Sequence, residues 1–194
     1  MRAWFATIAD AALMLASCGP DGTAGATEVA ALEKGTARVA ELGDRLEASI
    51  IRSATDTETR YKDATASAKA LLQRQREAQN PNRAQALDEM RALIGRGGLV
   101  EQLHSASAKV TADFERALAD IEDGAEELAE TCSAPGKHHT IASACDNLAQ
   151  ARADLAAVGA RVRERLGATE AAYAIQHRLQ EKLLAEARRP AMAR

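Results

Sequence analysis

"CSAPGKHHTIASAC", Cys132 to Cys145, is the stretch on which the reading of the fold turns. Its centre, Ser133 to His139, carries Pro135 and Gly136 and reads as a turn. Apolar residues recur at threes and fours on both sides, so the turn joins two helices. In an antiparallel hairpin, residues equally distant from the turn face each other. The midpoint between Cys132 and Cys145 falls between His138 and His139. Both thiols are therefore expected to meet one or two helical turns from the loop.

Working outward, the helix before the turn carries Leu99, Leu103, Val110, Phe114, Ala117, Ile121, Ala125, Leu128 and Cys132 on one stripe. The helix after it carries Ile141, Cys145, Leu148, Leu155, Val158, Val162, Leu166, Tyr173, Leu179 and Leu183. A third stripe lies upstream, from Val29 and Leu32 through Val39, Leu42, Leu46, Ile50, Ala54, Tyr61, Ala64 and Ala68 to Leu71. Asn80-Pro81-Asn82 ends that segment, because proline disfavours helix at the residue before it. The pattern resumes at Ala86, Leu87, Met90, Leu93 and Ile94, then meets Gly95-Arg96-Gly97-Gly98. Each glycine inside a helix costs about 1 kcal/mol against alanine, so a break is expected there.

The expected fold is all-α: an elongated antiparallel bundle of three long helices, Thr27–Gln79, Asn82–Cys132 and Thr140–Arg188. The middle one is broken near Gly95–Gly98; were the break a reversal, the helices would number four. Each segment would run about 75 Å at 1.5 Å per residue. Equal lengths and short connections favour antiparallel neighbours, and the near-heptad stripes favour coiled-coil-like packing. The bundle domain spans 27–188, with a frayed tail over 189–194.

Composition narrows the function. Alanine dominates the apolar residues, and aromatics make up only 3% of the chain, which suits thin bundles rather than aromatic-lined pockets. There are 25 Lys and Arg against 28 Asp and Glu, for a net charge of −3. No basic stripe marks a nucleic-acid footprint.

The segment 1–17, "MRAWFATIADAALMLAS", has Arg2, a mainly apolar stretch and then small residues. That is the layout of a secretory signal peptide, too short to span a bilayer. Leu15-Ala16-Ser17-Cys18 resembles the lipobox of bacterial lipoproteins. The resemblance implies cleavage between Ser17 and Cys18, diacylglycerol on the Cys18 thiol and acylation of the new amino terminus. It implies the outer membrane, because Gly19 rather than Asp follows the cysteine, and a protein facing the periplasm is expected. Two or three acyl chains anchor firmly where one is marginal. Residues 18–26, with Gly19, Pro20, Gly22 and Gly25, then read as a flexible tether.

In an oxidising compartment, Cys132 and Cys145 are expected to pair as a disulfide; in a reducing one they would be buried thiols. The rival is a metal or small-ligand module using Cys132, His138, His139 and Cys145, although the spacing matches no familiar zinc finger. Glu101 and His104 form a Glu-x-x-His unit as in di-iron bundles, but no second unit exists. The acidic run Asp120, Glu122, Asp123, Glu126, Glu127 and Glu130 reads as a solvated face. No nucleophile elbow or phosphate loop appears, so no catalytic residue and no cofactor beyond the Cys18 lipid is expected. The expected role is non-enzymatic: a scaffold, spacer or assembly adaptor with an envelope protein partner, or a self-assembling coiled-coil homo-oligomer.

Overall fold

The computed structural model describes residues 23–76, 83–133 and 138–188. They form four helices: α1 (Thr23–Arg76), α2 (Arg83–Ile94), α3 (Leu99–Cys132) and α4 (His138–Arg188). No strand occurs among the described residues.

The glycine run breaks the middle rod without reversing it. Gly97 takes φ +73°, open to glycine at no steric cost. A Cβ on Gly95 would stand 2.5 Å from the Arg91 carbonyl oxygen, so this tight turn excludes larger residues. The Gly95 N–H donates to Arg91 O and the Gly98 N–H to Gly95 O, which keeps the turn's backbone satisfied. Ala86, Met90 and Ile94 of α2 share a core with Tyr61, Ala64, Ala68, Leu71 and Leu72 of α1. Val100 of α3 joins the same core, and further on Leu128 lies over Gly35. The architecture is therefore up-down-up, three rods with the middle one in two pieces.

Register is regular over the whole length. Between α3 and α4 the facing pairs are Cys132–Cys145, Glu126–Arg152, Leu118–Gly159, Glu115–Arg163 and His104–Tyr173. Every pair is centred on the same point of the chain, between His138 and His139, to within half a residue. α1 and α4 run parallel, with Gly43 on Leu155, Glu47 on Arg161 and Gln75 on Ala187 at a near-constant offset.

The core divides along the rod. One end packs Leu32, Ala144 and Leu148 beside Cys132 and Cys145. The centre packs Phe114, Leu118, Leu155, Val158 and Val162 among α1, α3 and α4. The opposite end is the core around Tyr61 and Met90. Arginines on successive alternate positions of α4 tie its neighbours to it. Arg161 grips Glu47 of α1 in a two-bond fork (2.6 and 2.8 Å), and Arg163 grips Glu115 of α3 likewise (2.9 and 2.7 Å). Arg165 reaches Glu58 of α1 at 2.5 Å. These guanidinium bonds hold the carboxyls of Glu47, Glu58 and Glu115 below their ordinary range, against the smaller opposing effect of burial. A depressed carboxylate stabilises the fold above its unfolded pKa and stops doing so as pH falls through the folded value.

Several expectations need correction. α1 begins at Thr23, so residues 23–26 of the expected tether are helical; Ala24 and Ala26 flank Gly25 and favour that state. α4 begins at His138, two residues ahead of Thr140. α1 ends at Arg76 and α2 starts at Arg83; residues 77–82, the turn at 134–137 and the tail 189–194 lie outside the described residues. Leu99 is 39% exposed while Val100 is buried, because α3 starts afresh after Gly98 and takes a new phase. Leu179 is also half out, and Gln180 occupies the core position beside it. The acidic run on α3 is exposed throughout, as expected.

Two outcomes follow from the helix seams. Gly124 and Gly167 sit mid-helix with nothing within 4 Å of where a Cβ would stand. Gly124→Ala and Gly167→Ala should each stabilise by about 1 kcal/mol and raise Tm by about 2–4 °C in thermal melts. Gly159→Ala should gain less, since its Cβ would stand 3.0 Å from buried Leu118. The hairpin end makes the other prediction. Cys132 and Cys145 stand at disulfide distance, sulfurs 2.11 Å and Cα atoms 5.8 Å apart. Mass spectrometry of a non-reduced digest should recover a peptide joining them, and Cys145→Ser should cost about 3 kcal/mol, loosening this end first. Free thiols at both positions in protein from an oxidising compartment would contradict it.

Candidate functional site

The polar and aromatic side chains gather at the end of the bundle away from the cysteines. Tyr61 comes from α1, His104 from α3, Tyr173 and His177 from α4. The His104 and Tyr173 rings stack with centroids 3.8 Å apart and planes within 5°. Tyr61 tilts against Tyr173 at 5.5 Å, and the His177 ring is also tilted to Tyr173 at 5.5 Å. His177 is one helical turn beyond Tyr173, which puts the two on one face of α4. Glu170 approaches His104 Nδ1 at 3.4 Å, an ion-pair distance without hydrogen-bond geometry, so that nitrogen is buried without a hydrogen-bond partner.

Burial shapes the chemistry of this cluster. Tyr61 is 1% exposed, and desolvation first, then the Glu170 charge, pushes its phenol up to about 12. Desolvation also raises Tyr173, helped by Glu101, Glu170 and Glu181. Both phenols thus stay neutral donors through the physiological range.

Behind the rings runs a buried polar seam between α1 and α4. Thr65, Thr169 and Gln180 are each at most 3% exposed. The Thr65 hydroxyl donates to Tyr61 O at 2.9 Å, and Gln180 Nε2 donates to Thr65 Oγ1 at 3.0 Å. Gln75 Nε2 donates to Ala187 O at 2.9 Å further along. Two atoms are left over: the Tyr61 hydroxyl and Gln180 Oε1 are buried without a partner. Beside the seam a groove of about 360 Å³ opens between the glycine break and the last turns of α4. Glu101 is drawn to the break, where it accepts from the Gly97 N–H at 2.6 Å. It and His104 therefore serve separate purposes, and the Glu-x-x-His pair does not act as a unit.

The residues singled out by sequence are distributed differently. Ser17 and Cys18 lie outside the described residues. Cys132 and Cys145 come together at the opposite end. They are placed as a disulfide, with Cα atoms 5.8 Å apart. His138 and His139 head α4, but their side chains lie outside the description. Among the described residues no group of three or more His, Cys, Asp or Glu could hold a metal ion. The ring cluster was not anticipated. Tyr61 and Tyr173, two of the chain's few aromatics, are separated by the offset that relates α1 to α4, and that coincidence is the signal for it.

Tyr173→Phe leaves Tyr61 as the only tyrosine. Ultraviolet titration of that variant should show no phenolate until about pH 12, and unfolding should accompany it. The sign follows from the raised folded value: the stabilisation is complete below the unfolded pKa near 10 and is lost as pH rises through the folded one. A normal tyrosine transition with the helices intact would show the phenol to be solvated.

No protein-family model matches this chain, and no curated protein or solved structure matches it.

Proposed function

We propose that the chain is a lipid-anchored helical protein of the bacterial cell envelope. Lipid on Cys18 holds it at the outer membrane, facing the periplasm, and it works by binding or bridging an envelope protein rather than by catalysis. The observation that carries this reading is Leu15-Ala16-Ser17-Cys18 after a short apolar segment.

Two features of the fold support it. Cys132 and Cys145 at bonding distance suit an oxidising compartment. Thr23, the first residue of α1, follows Cys18 closely, and α1 starts at the end of the bundle that holds the cysteines. An anchor at Cys18 would stand the rod on that end and present the aromatic end and its groove away from the membrane. With α1 about 80 Å long, that is far enough to span a gap between partners. None of the described helices is long and apolar enough to cross a membrane.

Metabolic labelling tests the anchor. Labelled palmitate should enter the wild-type protein and not Cys18→Ser. Equal labelling of both, or a mature amino terminus still carrying Met1, would overturn the reading.

A further inference from the structure

We propose that the outward face of α4, towards its C-terminal end, docks a second copy of this chain in an antiparallel twofold dimer. The anchor proposed above is not needed for this. Glu164, Ala168, Ala171, Ile175, Leu179 and Lys182 recur at fours and threes, so they share one face of α4, and all six are exposed. Tyr173, Leu183 and Leu184 of the same helix pack against the core around Tyr61 and Met90 instead, which leaves that face outside the bundle. Ile175 is 62% exposed and Leu179 36%, two of the three large apolar side chains left exposed among the described residues. An apolar pair on adjacent turns, bounded by charge at both ends, has the form of an interaction surface.

The charges choose the partner. Glu164 closes one end of the face and Lys182 the other, and neither has an ion-pair partner among the described residues. A face with opposite signs at its two ends is complementary to itself turned end for end. In a parallel twofold each residue meets its own copy, so carboxylate would meet carboxylate and ammonium would meet ammonium. Antiparallel pairing reverses this. The twofold that sets Ile175 of each copy against Ala171 of the other also sets Glu164 against Lys182, because both pairs are centred on position 173. Ala171 is small enough to leave room for the Ile175 side chain, and Ala168 adds no bulk to hold the helices apart. One register therefore satisfies the apolar contact and the charges together. A single helix face buries a small area, so the dimer is reversible rather than obligate.

Sedimentation equilibrium of the full chain tests this. The wild type should dimerise reversibly. Ile175→Asp should weaken the dimer at least about tenfold, and it should leave the melting temperature of the dilute protein unchanged, because the side chain is exposed. Glu164→Lys and Lys182→Glu each bring like charges together across the twofold and should each weaken it about threefold or more. The double variant carrying both exchanges restores opposite charges in the antiparallel register and should return to wild-type affinity. A monomer at every concentration up to about 1 mM would overturn the proposal. So would a dimer indifferent to Ile175→Asp, or one whose affinity the double exchange fails to restore.

Discussion

Register is the constraint from which the rest of this fold follows. Long seams rich in alanine pack almost equally well after a slip of one heptad, so they cannot by themselves decide which residues face each other. The approach of Cys132 to Cys145 settles the matter for α3 and α4 at one end. The forks of Arg163 on Glu115 and Arg161 on Glu47 repeat the same alignment further up. Exposed ion pairs contribute little stability individually, but a slipped register would leave all of them unmatched at once. Their value here is selection among alignments rather than strength.

The far end uses a different device. Where the cysteine end relies on covalent geometry, the Tyr61 end relies on hydrogen bonds in the dark between helices, Thr65 with Gln180 and Gln75 with the Ala187 carbonyl. Polar pairs inside a bundle specify one neighbour over another, because any other arrangement strands their hydrogen-bonding groups. This end also carries buried polar atoms without a hydrogen-bond partner, the Tyr61 hydroxyl, His104 Nδ1 and Gln180 Oε1. The glycine break lies beside it, so the groove opens where, among the described residues, the middle rod leaves the helical path.

How much of this could be read beforehand differs between backbone and site. Stripe periodicity identified the three rods, and the buried residues Leu32, Val39, Tyr61, Phe114, Ile121, Leu148 and Val162 lie where it put them. The hairpin symmetry of Cys132 and Cys145 was readable because it depends only on counting from the turn. Leu99 and Leu179 were misjudged because hydrophobicity was taken as burial. The helix phase resets after Gly98 in one case, and a hydrogen-bonding glutamine outcompetes a leucine for the core in the other. The meeting of Tyr61, His104, Tyr173 and His177 needed the parallel offset of α1 and α4. No stripe encodes that offset, because it is a relation between helices with two others between them in the chain.

The parallel pairing of α1 with α4 has a mechanical consequence. α1 starts at the cysteine end, and α4 finishes at the groove end. A load applied at those two points drags the two helices lengthwise past each other. Glu47–Arg161, Glu58–Arg165, Thr65–Gln180 and Gln75–Ala187 then resist together, in shear, instead of opening one after another. An antiparallel pair pulled from adjacent ends would peel like a zip. The order of the helices thus makes this rod a stiff strut under tension along its length, whatever it connects.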